Sequence, residues 1–361
     1  MPINNIDNKY IDEAITNLVE TFGINENIKS DGLIDLLRQN KIKTCIEKIA
    51  AYLGLPISIN IAYVPAGYQP VNSNSQQASF ASKDLVETDG SGRGKDSITA
   101  QVNIPPNLPL YGTPRFNQFP INVKISENCR NHKKTFLAIM AHELSHIVLH
   151  STWHKEKNNE IYTDLTAMIL GFSKIVSEGR KISNSFQEGN IIHTNTTTYG
   201  YLNDHSFWRA YYRIEKVLKD QRKRRKKISK KVKQYNKLLS RYNKNYLLFK
   251  NYSEYLKNHK NVVFKKKDTQ KIIDFFQPSY EESLESGILN FKKVNRELES
   301  WVTQTKHYHL ADLSKKEKYI IELFNSLTTS LRDFRKDYKI LKKYIGIFYK
   351  IKMNFLSINE D

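Results

Sequence analysis

The spacing of apolar residues changes repeatedly along this 361-residue chain, and each change predicts an element. Residues 10–22 and 30–53 carry apolar side chains three and four apart. In the second stretch Leu33, Ile34, Leu36, Leu37, Ile42, Cys45, Ile46, Ile49 and Ala50 lie near helical spacing, so two amphipathic helices are expected. Over 57–64 the period drops to two, and it does so again over 98–104 and 121–125, which predicts three strands of a small sheet. Residues 135–150 return to spacings of three and four through Phe136, Leu137, Met140, Leu144, Ile147 and Val148 and predict a buried helix. A second apolar helical segment follows over 160–171. Residues 72–96 are full of Ser, Gln, Gly and Asp and cannot bury enough apolar area to order themselves, so a mobile loop is expected there. Residues 178–200, rich in Gly, Asn, Ser and Thr, predict a second long loop.

A helix over 205–218 then runs into a different kind of sequence. Ile228, Val232, Tyr235, Leu239, Tyr242, Tyr246 and Phe249 alternate spacings of four and three. Leu284, Ile288, Phe291, Leu298 and Val302 form a middle segment, and Ile320, Phe324, Leu327, Leu331, Phe334, Tyr338, Leu341, Ile345 and Phe348 fill a heptad seam. The pattern predicts three long helices in an antiparallel coiled coil or bundle, with the last helix offering a surface for self-association. The expected fold class is therefore α+β: a domain over 1–205 of a short sheet with helices, followed over 206–361 by an all-α basic coiled-coil or helical-bundle domain.

Charge divides the chain at the same place. Residues 1–200 hold 19 Lys+Arg and 19 Asp+Glu, whereas 201–361 hold 38 and 18, so the net charge of +20 resides in the second region. The length suffices for two domains with a full core in at least the first. No stretch approaches the roughly 18 apolar residues of a membrane span, and the first residues have neither a basic head nor an apolar segment. A cytoplasmic protein without membrane contact is expected. Cys45 and Cys129 form no Cys-x-x-Cys and read as reduced core thiols.

The chemistry concentrates in His142-Glu143-Leu144-Ser145-His146. On a helix the two imidazoles stand one turn apart on one face and can reach a single zinc ion at about 2.0–2.1 Å. Glu143, one residue round, is placed to act as a general base. A catalytic zinc takes three protein ligands and keeps a fourth position for water, so a third donor is required downstream. The metzincin continuation would need Gly at 149 and His at 152, where this chain has Leu149 and Thr152. Glu160 and Asp164, one turn apart on the next helical segment, supply the alternative: Glu160 as third ligand, Asp164 as the acceptor that fixes a ligand imidazole. Histidines on an apolar helix also occur as hydrogen-bonded core residues. His150 continues the one-turn spacing and is either a substitute ligand or, like His154, a helix-end histidine without function.

These residues resemble the gluzincin arrangement of thermolysin-type peptidases. The run HELSHIVLH, with an apolar helix upstream and a short gap, is similar to the ImmA/IrrE-like metallopeptidases of bacteria and their mobile elements. The resemblance covers roughly residues 45–215. It implies a zincin-like metallopeptidase domain that hydrolyses peptide bonds of a protein substrate, with one Zn2+ on His142, His146 and Glu160 and with Glu143 as base. This chain departs from the ImmA/IrrE-type pattern in having Tyr162-Thr163-Asp164-Leu165 after the glutamate and no helix-turn-helix module at its N-terminus. In such peptidases an edge strand pairs with extended substrate, and either 98–104 or 121–125 is a candidate for that role.

A tetrahedral oxyanion needs a further donor, and the candidates after the second helix are His193, Tyr199, Tyr201 and His205. Residues 219–233 contain ten Lys or Arg in fifteen, among them Arg222, Lys223, Arg224, Arg225, Lys226 and Lys227. The run is either a solvated face of a coiled coil or a nucleic-acid-binding surface. Two function classes stay open: a zinc endopeptidase whose basic coiled coil recognises a partner or positions the enzyme, and a nucleic-acid- or partner-binding protein that uses a peptidase-like domain as sensor or scaffold.

Overall fold

A computed structural model describes residues 6–66, 68, 78–81, 85–86, 98–188 and 191–258, together with scattered helical positions between 282 and 339, among them 292–297. It is a mixed α+β structure, mostly helical, with little sheet. The described residues divide into two compact units, one running to Gln221 and one from Arg222.

The first unit opens with α1 (Asn8–Phe22), whose first turn is capped by Asp7 accepting from the Lys9 amide. Its apolar stripe, Ile11, Ala14, Ile15, Leu18 and Phe22, is buried. The stretch predicted as one helix over 30–53 is two, α2 (Asp31–Arg38) and α3 (Ile42–Tyr52). The break is local chemistry: Asn40 sits at φ 60°, and the Asn40 and Lys41 amides donate back to Leu37 and Leu36 carbonyls. This left-handed C-terminal turn suits Asn, whose short polar side chain tolerates it.

Four strands, β1 (Ser58–Val64), β2 (Ala78–Ala81), β4 (Ala100–Ile104) and β5 (Pro120–Ser126), form a sheet of order β1-β5-β4-β2. β1 and β5 run parallel, with Ile59 opposite Ile121, and the other pairs are antiparallel. Both strands considered for substrate pairing are therefore interior: β5 lies between β1 and β4, and β4 is covered by β2. β2 and a short strand β3 (Leu85–Val86) fall in the stretch expected to be a loop. The second expected loop is also structured, as a hairpin of β6 (Lys181–Glu188) and β7 (Ile191–Thr198) that pairs with β3 in the order β3-β7-β6. Hydroxyl pairs across it, Ser183 with Thr196 and Ser185 with Thr194 at 2.9 Å, do the work that apolar pairs do in other sheets.

Helix α4 (Lys133–Ser151) runs through the centre and packs on α3, α5 (Glu160–Ala167), α6 (Ser173–Gly179) and β4. It is buried on all sides from Thr135 to Leu149, so its apolar residues are not confined to one stripe. Between α5 and α6 the chain makes one wide turn, Met168–Phe172, with Gly171 at φ 104°. A Cβ there would lie 2.6 Å from the Glu26 carbonyl oxygen, and the turn's Ile169 and Gly171 carbonyls accept from Asn25 and Ile28 amides. Glycine is thus required where the N-terminal segment crosses the turn.

Helix α7 (Asp204–Asn258) starts in the first core, where Phe207, Ala210, Ile214 and Leu218 are buried. Among the described residues the second unit is helical, and within it Asn236 donates to Glu299 at 2.6 Å. Val232 and Leu239 of the predicted seam are buried. The seam positions over 284–302 and 320–348 lie outside the described residues. No helix among the described residues is long and apolar enough to cross a membrane. Cys45 and Cys129 are free and buried, as reduced core thiols should be.

Candidate metal centre

The centre is assembled from two helices and one loop. α4 puts His142 and His146 one turn apart, with ring centroids 5.1 Å from each other and planes at 86°. α5 begins at Glu160 because Asn159 caps it, accepting from the Ile161 amide at 3.1 Å; Asn159 is itself tied to α1 by a hydrogen bond to the Tyr10 hydroxyl at 2.8 Å. The cap fixes where Glu160 enters. Its Oε2 lies 3.2 Å from His142 Nε2 and 3.2 Å from His146 Nε2.

Those separations match a metal site. A tetrahedron with bonds of about 2.1 Å has edges of about 3.4 Å, close to the spacing of these atoms. One donor atom from each of the three residues falls within 4.8 Å of the others, and this is the one such group among the described residues. Two imidazole nitrogens and a carboxylate oxygen are a donor set that suits zinc.

The far side of each ring is also held. His142 Nδ1 lies 2.7 Å from Asp164 Oδ1, and since a carboxylate only accepts, Nδ1 carries a proton and Nε2 is the nitrogen turned toward Glu160. Thr163 Oγ1 sits 3.3 Å from His146 Nδ1 and gives its own proton to the Asn159 carbonyl at 3.2 Å, which leaves the hydroxyl oxygen to accept from that ring. Asp164 Oδ2 in turn accepts from the Tyr201 amide at 2.6 Å and the Leu202 amide at 3.2 Å. Gly200, at φ 93°, lets that loop approach, for a Cβ there would come within 3.2 Å of Asp164 Oδ2. Arg180 clamps the same loop from behind, donating to the Leu202 carbonyl at 2.6 Å, pairing with Asp204 at 3.1 Å and lying 4.2 Å from the Phe207 ring centre. With Ala138, Ile139 and Met168 these groups enclose a cavity of about 80 Å³ beside His142.

Electrostatics follow from this burial. Burial opposes charge on Glu160, but hydrogen bonds from His142 and His146 hold its carboxyl down at about 2. His146, buried and facing His142, is pushed down to about 4. Burial opposes charge on His142 too, yet Asp164 and then Glu160 and Glu143 raise it well above the ordinary histidine value. Glu143 is fully buried and close enough for its charge to act on both His142 and Tyr201.

The remaining sequence candidates are distributed unequally. Tyr201 stacks on His142, with ring centroids 5.6 Å apart and planes at 22°. Burial first, then Glu160, Glu143 and Asp164, raise its phenol pKa, so it stays protonated and able to donate. The Tyr199 hydroxyl lies instead against the segment just before β4, accepting from the Ile98 amide at 3.3 Å. His205 is exposed and pairs with Asn8 at 3.2 Å, remote in role from the centre, and the His193 side chain lies outside the described residues. His154 is a core residue, 3.1 Å from Asn17 and accepting from the Glu156 amide. His150 does not join the metal group; burial and the nearby Lys157 charge push it down to about 4. Of the basic run, Arg222, Lys223 and Lys226 are exposed on α7, and the side chains of Arg224, Arg225 and Lys227 are outside the described set.

Sequence reasoning missed Thr163, Arg180 and the Tyr201 and Leu202 amides. Thr163 was legible in principle, one residue before Asp164 on the helix that carries Glu160; the loop contacts had no local signature. Comparison with protein-family models, with curated proteins and with solved structures finds no match to this chain.

Proposed function

We propose that the first unit is a zinc-dependent metallopeptidase of the gluzincin kind, related to the ImmA/IrrE-like enzymes, acting on a protein substrate in the cytoplasm. Its basic helical unit recognises a partner or positions the enzyme. The observation that carries this reading is the convergence of His142, His146 and Glu160 donor atoms at 3.2 Å, with Glu143 buried beside them. Zinc held there would polarise the scissile carbonyl and make water acidic enough to lose a proton near neutral pH.

This chain's own residues supply the rest. Asp164 and Thr163 keep both rings in the tautomer that offers Nε2. Glu143 accepts the proton of the attacking water and returns it to the leaving amine nitrogen as the C–N bond breaks. Tyr201, protonated and stacked on His142, is the candidate best placed to donate to the developing oxyanion.

The test separates the roles. Glu143→Gln should retain zinc and abolish cleavage, whereas His146→Ala should lose the metal, as measured by elemental analysis of purified protein. Comparing protein N-termini in cells carrying wild type or Glu143→Gln should reveal new termini with wild type alone. Equal metal loss in both variants, or identical termini in both cell lines, would refute the assignment.

A further inference from the structure

Within the second unit, helix α7 carries a line of cations unlike an ordinary solvated helix. Residues 221–253 contain 13 Lys or Arg and no Asp or Glu in 33 positions. Lys226, Lys230, Lys233, Lys237, Arg241 and Lys244 recur at spacings of four and three, and each is exposed. At 3.6 residues per turn these six fall in a sector of about 80°, and at a rise of 1.5 Å they extend about 27 Å along the axis. Val232 and Leu239 are buried on the opposite side. The other exposed positions described between 226 and 244 are Gln234 and Ser240.

A helix face kept only for solubility intersperses acids, because Glu and Lys one turn apart attract while like charges so placed repel. Here each cation of the line has another one turn away. A polyanion laid along the face relieves that repulsion. We infer that this face of α7 binds double-helical nucleic acid through its phosphates, without reading sequence.

Three observations select that partner. A duplex carries about one negative charge per 1.7 Å of axis, dense enough to meet cations spaced roughly 5 Å apart on a straight rod. Single strands are gripped largely by bases stacking on aromatic rings, and none occupies a described exposed position of the line. A helix lying on a lipid surface needs an exposed apolar face to insert, whereas among the described apolar residues between 226 and 244 Val232 and Leu239 are buried and Leu238 is half-buried. Five of the six cations are lysines, point charges rather than the bidentate forks that read guanine.

The inference stands independently of the metal centre and is tested without it. The full chain is titrated against a short fluorescent DNA duplex of mixed sequence, read by anisotropy, with the matching single strand and phosphatidylserine vesicles as competitors. Affinity should fall on the order of 10³-fold between about 50 and 200 mM salt. Lys230→Gln/Lys233→Gln/Lys237→Gln should reduce the log–log salt slope by about 2.7, and lysine-to-arginine changes at the same three positions should preserve it. Circular dichroism checks that helicity is retained. Absence of duplex binding at low salt, a slope unchanged in the glutamine variant, or equal or tighter binding to the single strand or the vesicles would each overturn the inference.

Discussion

Replacing Asp164 by asparagine tests whether the loop over 199–202 and the metal ligand His142 are one device. The carboxylate accepts on both oxygens: Oδ1 from His142 Nδ1 at 2.7 Å, Oδ2 from two backbone amides at 2.6 and 3.2 Å. Asparagine has nearly the same shape but only one acceptor oxygen. If that oxygen faces His142, the NH2 group meets the Tyr201 and Leu202 amides; if it faces the amides, the NH2 group meets the imidazole N–H. One face becomes donor against donor either way. Asp164 is only 8% exposed, so water cannot repair the loss. Removing one hydrogen bond to a buried charge costs about 1.5–3 kcal/mol, and leaving a donor unsatisfied adds about 1–3 kcal/mol. The variant should be about 2.5–6 kcal/mol less stable in urea with chelator present, and zinc binding should weaken about 10–100-fold because His142 loses the group that orients it. Both are measurable, the first by chemical denaturation and the second by competition with a chromophoric chelator. A variant that loses stability but binds zinc as tightly as wild type would refute the link between this carboxylate and the ligand ring.

Two further outcomes are expected away from the centre. Trp153 closes α4 in a left-handed turn at φ 51°, with the Trp153 and His154 amides donating to His150 and Leu149 carbonyls, yet the residue is 76% exposed. Trp153→Gly removes a backbone cost of about 1–2 kcal/mol while the unfolded chain gains freedom, so a net stabilisation of about 0.5–1 kcal/mol in urea unfolding is expected, and destabilisation would contradict the strain argument. Burial pushes the Cys45 thiol up to about 12 against the pull of Lys48. The native protein should therefore resist iodoacetamide at pH 8.5 and react once unfolded. Because the raised pKa favours the neutral thiol in the fold, this contribution to stability is complete below about pH 9 and is lost as pH rises toward about 12. Rapid alkylation of Cys45 without denaturant would show that its pocket opens.

Much of the centre was readable along the chain because helical geometry is local. A one-turn spacing puts His142 and His146 on one side of α4 and Glu160 and Asp164 on one side of α5, whatever surrounds them. The break at Asn40 was hidden because apolar spacing continues across it, although the turn chemistry of Asn is itself a local signal. β2 and the hairpin of β6 and β7 lie in stretches whose Ser, Gly, Asn, Gln and Thr content predicts loops. Their order depends on partners distant in sequence, such as Lys181 opposite Thr198 and Ala78 opposite Ile104.

The amino-acid sequence alone determined the donor types, their one-turn spacing, the helical periods and the concentration of positive charge after residue 200, each a matter of adjacent covalent positions. Tertiary structure decided that Glu160 rather than His150 meets the two imidazoles, that β4 and β5 are interior strands, and that a glycine-bearing loop some forty residues beyond α5's start braces Asp164. Those outcomes arise from how buried helices and sheets pack across long stretches of chain, where the free energy lies in contacts that no short window of residues contains.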